Sequence, residues 1–214
     1  MAYSGLNYAT FTIHQIVKDS GKEGQLVAKL NVMKEMLDKD PELVNLADAK
    51  GLLPIHIAAY VGEIPVVNEL IRRGADKDSK RPDGMTPMLV AAMRGSLKHG
   101  ELCIELCNGG ANVNIQGPLG MCALHFLCAK GLADPVEALL KASPVGAFVN
   151  AKTRELSTPL HAAVNGGHMD LAELLIDYGA DTLAKNAQGK TPLLLTKSRE
   201  DHDRLVKASP HSNP

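Results

Sequence analysis

The stretch STPLHAAVNGGHMDLAELLIDYGAD, Ser157 to Asp181, decides the fold. Thr158 offers a side-chain oxygen at a helix start, and Pro159 suits the first helical position, where a backbone N–H is not needed. Gly166 and Gly167 break that helix. Leu171, Leu174, Leu175 and Tyr178 then fall three and four apart, the spacing of one apolar face on a second helix. Gly179 can take the left-handed conformation that ends it. The stretch therefore predicts a helix, a tight turn and a second helix with a glycine stop.

Four more copies lie outward from it. They centre on Pro54 (LPIHIAA), Pro87 (TPMLVAA), Ala123 (CALHFLC) and Pro192 (TPLLLTK), so the spacings through Pro159 are 33, 36, 36 and 33 residues. Second helices are predicted over Ile64 to Arg73, Gly100 to Cys107, Asp134 to Ala142 and Met169 to Tyr178. The two long spacings are expected at turns, where insertions interrupt no core contact. Ser96 to His99 would lengthen the turn between two helices, and Ser143 to Val145 the connection after the next pair. Gly51, Gly84, Gly120 and Gly189 precede their copies where the turn wants a positive φ. Leu156 stands there in the fourth copy and leaves that turn's geometry open.

These copies resemble the ankyrin repeat, whose T-P-L-H-x-A signature recurs about every 33 residues. The resemblance implies an all-α solenoid of stacked helix-turn-helix units, with the segments between pairs forming hairpin fingers at right angles to the helices. The expected divisions are a loose tail at 1–9, one domain at 10–208 and a disordered tail at 209–214. Within the domain an N-terminal cap covers 10–50, four full repeats cover 51–83, 84–119, 120–155 and 156–188, and a C-terminal cap covers 189–208. In the N-terminal cap, helices are predicted over Thr10 to Asp19 and Gln25 to Lys39, with a turn at Gly21 to Gly24 and a stop at Asp40-Pro41.

Composition fits this reading. The chain has 214 residues, 45% hydrophobic, with no Trp, 3 Phe and 4 Tyr, as suits an array packed through Ala, Leu and Val. Its 23 basic and 24 acidic residues lack the positive excess of a nucleic-acid or membrane-surface protein. No apolar run approaches the roughly 18 residues of a spanning helix. No basic-then-apolar leader opens the sequence, and the 4 Cys have no framework spacing. The expected compartment is the cytoplasm, with the nucleus also open, and the expected state is a monomer.

Residues that suggest chemistry have structural readings. His56, His125 and His161 recur at one repeat position, and the resemblance implies that they bond neighbouring backbone and lock the turn. His99, Cys103 and Cys107 sit at i, i+4 and i+8, a metal-like spacing. However, Cys103 aligns with Val67 and Ala172, and Cys107 with Ile71 and Ile176, which are core positions. His99 falls in the inserted turn and is expected off the helix. Gly21-Lys22-Glu23-Gly24 lacks the phosphate-cradling spacing, and G-x-S-x-G, H-E-x-x-H and paired carboxylates do not occur. No catalytic, metal or cofactor site is expected. Asn45, Asn114 and Asn150 follow Val at finger positions that resemble asparaginyl-hydroxylase targets in the family.

The resemblance also implies where a partner protein would sit, on the finger tips and the exposed face of the first helices. Those positions are Lys50, Leu52, Tyr60 and Val61, then Asp83, Met85, Met93 and Arg94. They continue as Leu119, Met121, Ala129 and Lys130, then Glu155, Ser157, Asn165 and Gly166, and end with Gln188 and Lys190. Leu52, Tyr60, Val61, Met85, Met93, Leu119 and Met121 are apolar there, and an exposed apolar strip marks a binding surface. Burial between adjacent fingers is the alternative. The expected function is protein recognition, as adaptor or inhibitor, through an apolar peptide segment or helix. The rival readings are an enzyme assembly, or nucleic-acid binding through Lys77, Lys80, Arg81, Lys152, Arg154 and Lys185.

Overall fold

Pro54, Pro87 and Pro159 each open a helix at its first turn, and Ala123 does so where the proline is missing. The computed structural model describes residues 13–17, 26–142 and 146–209. Residues 13–17 are helical (α1). Then come α2 (Leu26–Lys39), a 3-10 turn at Pro41–Asn45, and the pair α3 (Pro54–Val61) and α4 (Ile64–Arg72). The next pairs are α5 (Pro87–Arg94) with α6 (Leu97–Asn108), and α7 (Ala123–Lys130) with α8 (Ala133–Lys141). The last full pair is α9 (Pro159–Gly166) with α10 (Met169–Asp177), followed by a 3-10 turn at Pro192–Leu195 and α11 (Arg199–Ala208). Among the described residues no strand occurs.

The helices form two layers. First helices α3, α5, α7 and α9 pack side by side, and the 3-10 turn at Pro192–Leu195 takes the next place against α9. Second helices lie behind them, with α2 on α4, α6 on α8 and α10 on α11. Ala58, Ala59, Ala91, Ala92 and Ala163 are fully buried, so small side chains let the first helices approach closely. Leu70, Leu102, Leu106, Leu139 and Leu175 fill the space between layers. Removing such leucines from water contributes roughly 2 kcal/mol each. The predicted solenoid is the one observed.

Polar cross-links tie each unit to the next. The Nε2–H groups of His56, His125 and His161 donate to the carbonyls of Ser79, Ser157 and Lys190 in the following finger, at 3.0, 3.1 and 3.0 Å. Their Nδ1 atoms accept from the backbone N–H of Leu53, Cys122 and Thr158 at the helix start. The neutral ring with its proton on Nε2 satisfies both ends. The fingers are linked as well. Asn45, Asn114 and Asn150 donate to the carbonyls of Gly74, Gly146 and Gly179 one repeat on, at 3.1, 3.1 and 3.0 Å. The equivalent residue of the second finger is Asp78, which accepts from Asn112 N–H but cannot donate, and Lys77 Nζ donates to Gly109 O instead.

His99 departs from expectation. Ser96 to His99 do not lengthen a turn: Ser96 is the N-cap, and Leu97 to His99 add a first turn to α6. His99 is therefore on the helix and buried, where its Nε2–H donates to Tyr60 O at 3.0 Å and its Nδ1 meets Ser96 Oγ at 2.5 Å. His168 makes the same kind of tie one unit pair later, from Nε2 to Ala129 O at 3.2 Å. A Cβ on Gly131 would come within 2.4 Å of the His168 ring, so this glycine serves a close approach as well as a turn. The inserted Ser143 to Val145, the turn at Gly21 to Gly24 and the expected tails at 1–9 and 210–214 lie outside the described residues. Ser209 is described and buried, with its hydroxyl on Leu205 O.

At the ends, ion pairs add to the apolar packing of Met33, Leu37 and Leu205. Arg73 reaches from α4 to Asp38 of α2 at 2.5 Å, and Arg204 of α11 holds Asp170 and Glu173 of α10 at 2.6 and 2.9 Å.

The turn lacking a glycine keeps the glycine geometry. Leu156 sits at φ 58°, beside φ 74° at Gly51, 85° at Gly84 and 74° at Gly189. A side chain costs roughly 1–2 kcal/mol in that region. A Cβ on Gly189 would meet nothing within 4 Å, so Gly189→Ala should lose about 1 kcal/mol through the backbone alone. Leu156→Gly should gain up to about 1 kcal/mol, after the entropy cost of glycine in the unfolded chain. Urea denaturation of both variants checks this, and a destabilised Leu156→Gly would show packing outweighing strain.

The buried histidines set a pH dependence. Burial, the largest cause, lowers the pKa of His56, His99, His125 and His161 below 6.5. Below about pH 6.5 the unfolded chain then binds more protons than the folded one. Stability is thus complete above 6.5 and falls as the pH drops toward the depressed values, by at most about 1.4 kcal/mol per pH unit for each ring. Denaturation midpoints across that range should show the slope. His161→Leu, which copies Leu89 of the second repeat, should make it shallower.

Candidate partner-binding face

First helices and finger bases enclose two hollows on the same side of the array. The N-terminal hollow, about 690 Å³, is lined by His14, Gln15, Asp48, Lys50, Leu52, His56, Ile57, Tyr60, Val61 and Arg81. The second, about 370 Å³, is lined by Met121, His125, Ala129, Thr153, Ser157, His161, Ala162, Asn165, Gly166, Asn186, Gln188 and Leu195. Each includes the last residues of a first helix, Tyr60 and Val61 before the left-handed Gly62, and Asn165 and Gly166 before the left-handed Gly167.

The N-terminal hollow groups four apolar side chains, Leu52, Ile57, Tyr60 and Val61, among polar ones. Tyr60 is 49% exposed, and the Arg94 guanidinium lies 4.5 Å from its ring centroid. That contact crosses from α5 to α3 and holds the ring with one face covered by a cation. Tyr60 also carries on its carbonyl the His99 bond, which fixes the end of α3. Asp48 spends its carboxylate on Lys50 N–H and Leu52 N–H at the finger tip, at 2.8 and 2.9 Å. Arg81 pairs with Asp83, whose carboxyl is held below its ordinary pKa chiefly by that hydrogen bond.

The expected contact residues divide three ways. Lys50, Leu52, Tyr60 and Val61 meet in the first hollow, and Met121, Ala129, Ser157, Asn165, Gly166 and Gln188 meet in the second. Met93, Arg94 and Lys130 are exposed on the helix ends between them, and Asp83, Leu119, Glu155 and Lys190 on the fingers. Met85 does not fit the expectation. It is buried, because its side chain turns between fingers toward Gly117, where an added Cβ would lie 3.3 Å from its sulfur. The exposed apolar strip is therefore interrupted at the second finger.

Sequence reasoning missed Ile57 and Ala162, which occupy the variable x of the T-P-L-H-x-A copies, and Thr153 and Asn186 at equivalent places in two fingers. The first pair was available from repeat alignment. The second pair needed the inclination of the fingers. Among the residues considered for metal, His99 has both ring nitrogens engaged, and burial pushes the Cys103 thiol up to about 12. Among the described residues no three His, Cys, Asp or Glu side chains converge as a metal site would need, and no helix is long and apolar enough to cross a membrane.

Two sequence profiles match, one described as ankyrin repeats (3 copies) over residues 55–153 and one as ankyrin repeats (many copies) over 146–195. The chain is 40% identical over 115 residues to ankyrin repeat and SOCS box protein 11 of Danio rerio, covering 53% of this chain and 36% of that one. It is 27% identical over 165 residues to alpha-latrocrustotoxin-Lt1a of Latrodectus tredecimguttatus, covering 77% of this chain and 9% of the toxin. Over 159 residues it is 28% identical to transient receptor potential cation channel subfamily A member 1 of Drosophila melanogaster, at 70% and 13% coverage. The chain thus spans well under half the length of these relatives.

Proposed function

Because this chain belongs to the ankyrin repeat family, a family of protein–protein interaction modules, we propose that it binds a partner protein without catalysing a reaction, as an adaptor or an inhibitor. The partner segment lies along the concave side, with an apolar side chain in the hollow at Tyr60 and the rest of the segment running toward Met121 and Asn165. The observation that carries this reading is the N-terminal hollow of about 690 Å³, whose lining includes Leu52, Ile57, Tyr60, Val61 and Lys50, with Arg94 against the Tyr60 ring. A hollow of that size, with apolar side chains grouped among polar ones that can fix orientation, suits a side-chain anchor. Tyr beside Arg is the composition of a binding hot spot.

The reading of the fingers as a nucleic-acid surface has less support. Arg81 is paired with the Asp83 carboxylate, and Lys77 Nζ is held on Gly109 O, so two of the six expected cations are engaged within the chain.

Replacing Tyr60 with Ser removes the anchor and the cation contact without touching the core. Partners captured by the immobilised wild-type chain should bind this variant about 30-fold more weakly, the scale of a hot-spot loss near 2 kcal/mol. Circular dichroism melting should be unchanged. Full retention of every captured partner by Tyr60→Ser together with Met121→Ser would remove the proposal.

A further inference from the structure

Two leucines stand at adjacent finger tips in a left-handed conformation that glycine would take without strain: the turn asks for it at Leu156, while at Leu119 the other fingers do without it. Leu119 has φ 59° and ψ 14° within the 3-10 turn at Pro118–Gly120, and Leu156 has φ 58°. Among the described residues these are the non-glycine residues with positive φ. Both are exposed, at 61% and 46%. Burial therefore offsets little of the strain, which is on the order of 1–2 kcal/mol for each. The equivalents of Leu156 in the other four fingers are Gly51, Gly84, Gly120 and Gly189. Those of Leu119 are Lys50, Asp83, Glu155 and Gln188, all polar. An exposed apolar side chain kept where glycine or a polar residue stands in the other fingers, at a cost in strain, points to function rather than to folding.

The two tips touch. Arg154 N–H donates to Leu119 O at 2.8 Å, and a Cβ on Gly120 would lie 3.1 Å from Arg154 N. The pair also borders the second hollow, since Met121 follows Leu119 by two residues, Ser157 follows Leu156 by one, and both line that hollow. Lys152, Arg154 and Lys190 are exposed around it against Glu155.

We propose that Leu119 and Leu156 form an apolar docking ledge at the rim of the second hollow, for a partner segment with apolar residues at its centre and acidic residues flanking them. The inference rests on the concave-face reading above and adds to it the place where the segment leaves the hollow. The apolar centre follows from the two leucines, and the acidic flanks from the excess of cations beside them.

The test separates this role from a structural one, because the informative variants do not weaken the fold. Leu156→Gly relieves strain, and Leu119→Asn places at positive φ a residue that tolerates it. Short random peptides displayed on phage are panned against the wild-type chain, and enriched sequences are measured as synthetic peptides. Enriched peptides should pair Leu, Ile or Phe with Asp or Glu, and should lose about tenfold or more in Kd on either variant. The denaturation midpoint should hold on Leu119→Asn and rise on Leu156→Gly. Peptides that bind both variants as tightly as the wild type but lose binding to Met121→Ser would overturn the ledge and leave the groove standing. Peptides indifferent to Met121→Ser, to Tyr60→Ser and to both leucine variants, or no enrichment at all, would overturn both.

Discussion

A pair of helices eight to twelve residues long cannot bury its own apolar face, and everything else in this molecule follows from that shortage. Ala58, Ala59, Val67 and Leu70 would be largely open in an isolated α3–α4 unit. They are fully buried here because α5 and α2 close over them. Stability is therefore shared between neighbours rather than owned by any repeat. Small residues on the first helices matter as much as large ones on the second, because alanine sets how close two units come.

Apolar stacking alone would let units slide or twist, since it has no direction. The histidine and asparagine bridges supply direction. His56, His125 and His161 join a helix start to the next finger, His99 and His168 join a helix end to the next second helix, and Asn45, Asn114 and Asn150 join finger to finger. Each bridge also satisfies backbone groups that would otherwise be left without partners at the helix ends and turns. The second repeat shows that the arrangement tolerates exchange. Leu89 replaces the histidine, and Lys77 with Asp78 divides the two jobs of the asparagine.

Stacking in one direction leaves a continuous face that no neighbour covers. Helix ends project Tyr60, Met93 and Asn165 onto it, and finger tips project Lys50, Leu119 and Leu156. These positions are free to vary without disturbing the core, so chemistry specific to this chain gathers there. The strained leucines and the Tyr60–Arg94 contact are where the sequence departs from what stacking asks for.

Much of this was legible in the sequence, because it is local and periodic. Proline at a helix start, glycine at a helix stop and leucines three and four apart specify helix pairs. Five copies in register specify that the pairs stack, and alignment between copies placed Cys103 in the core. What tertiary structure decided was orientation between units. A single alignment column held both Leu52, which lines a hollow, and Met85, which is buried, because the second finger leans over its own side chain toward Gly117. The extra residues at Ser96 to His99 could have made a loop. They became a helical turn at the start of α6, and the His99 ring there meets Tyr60 O one repeat away. Leu156 holds a glycine's conformation because hydrogen bonds across adjoining fingers at Arg154 and Ala187 outweigh its local preference. Short-range pattern sets the units, and contacts between units set which side chains a partner can reach.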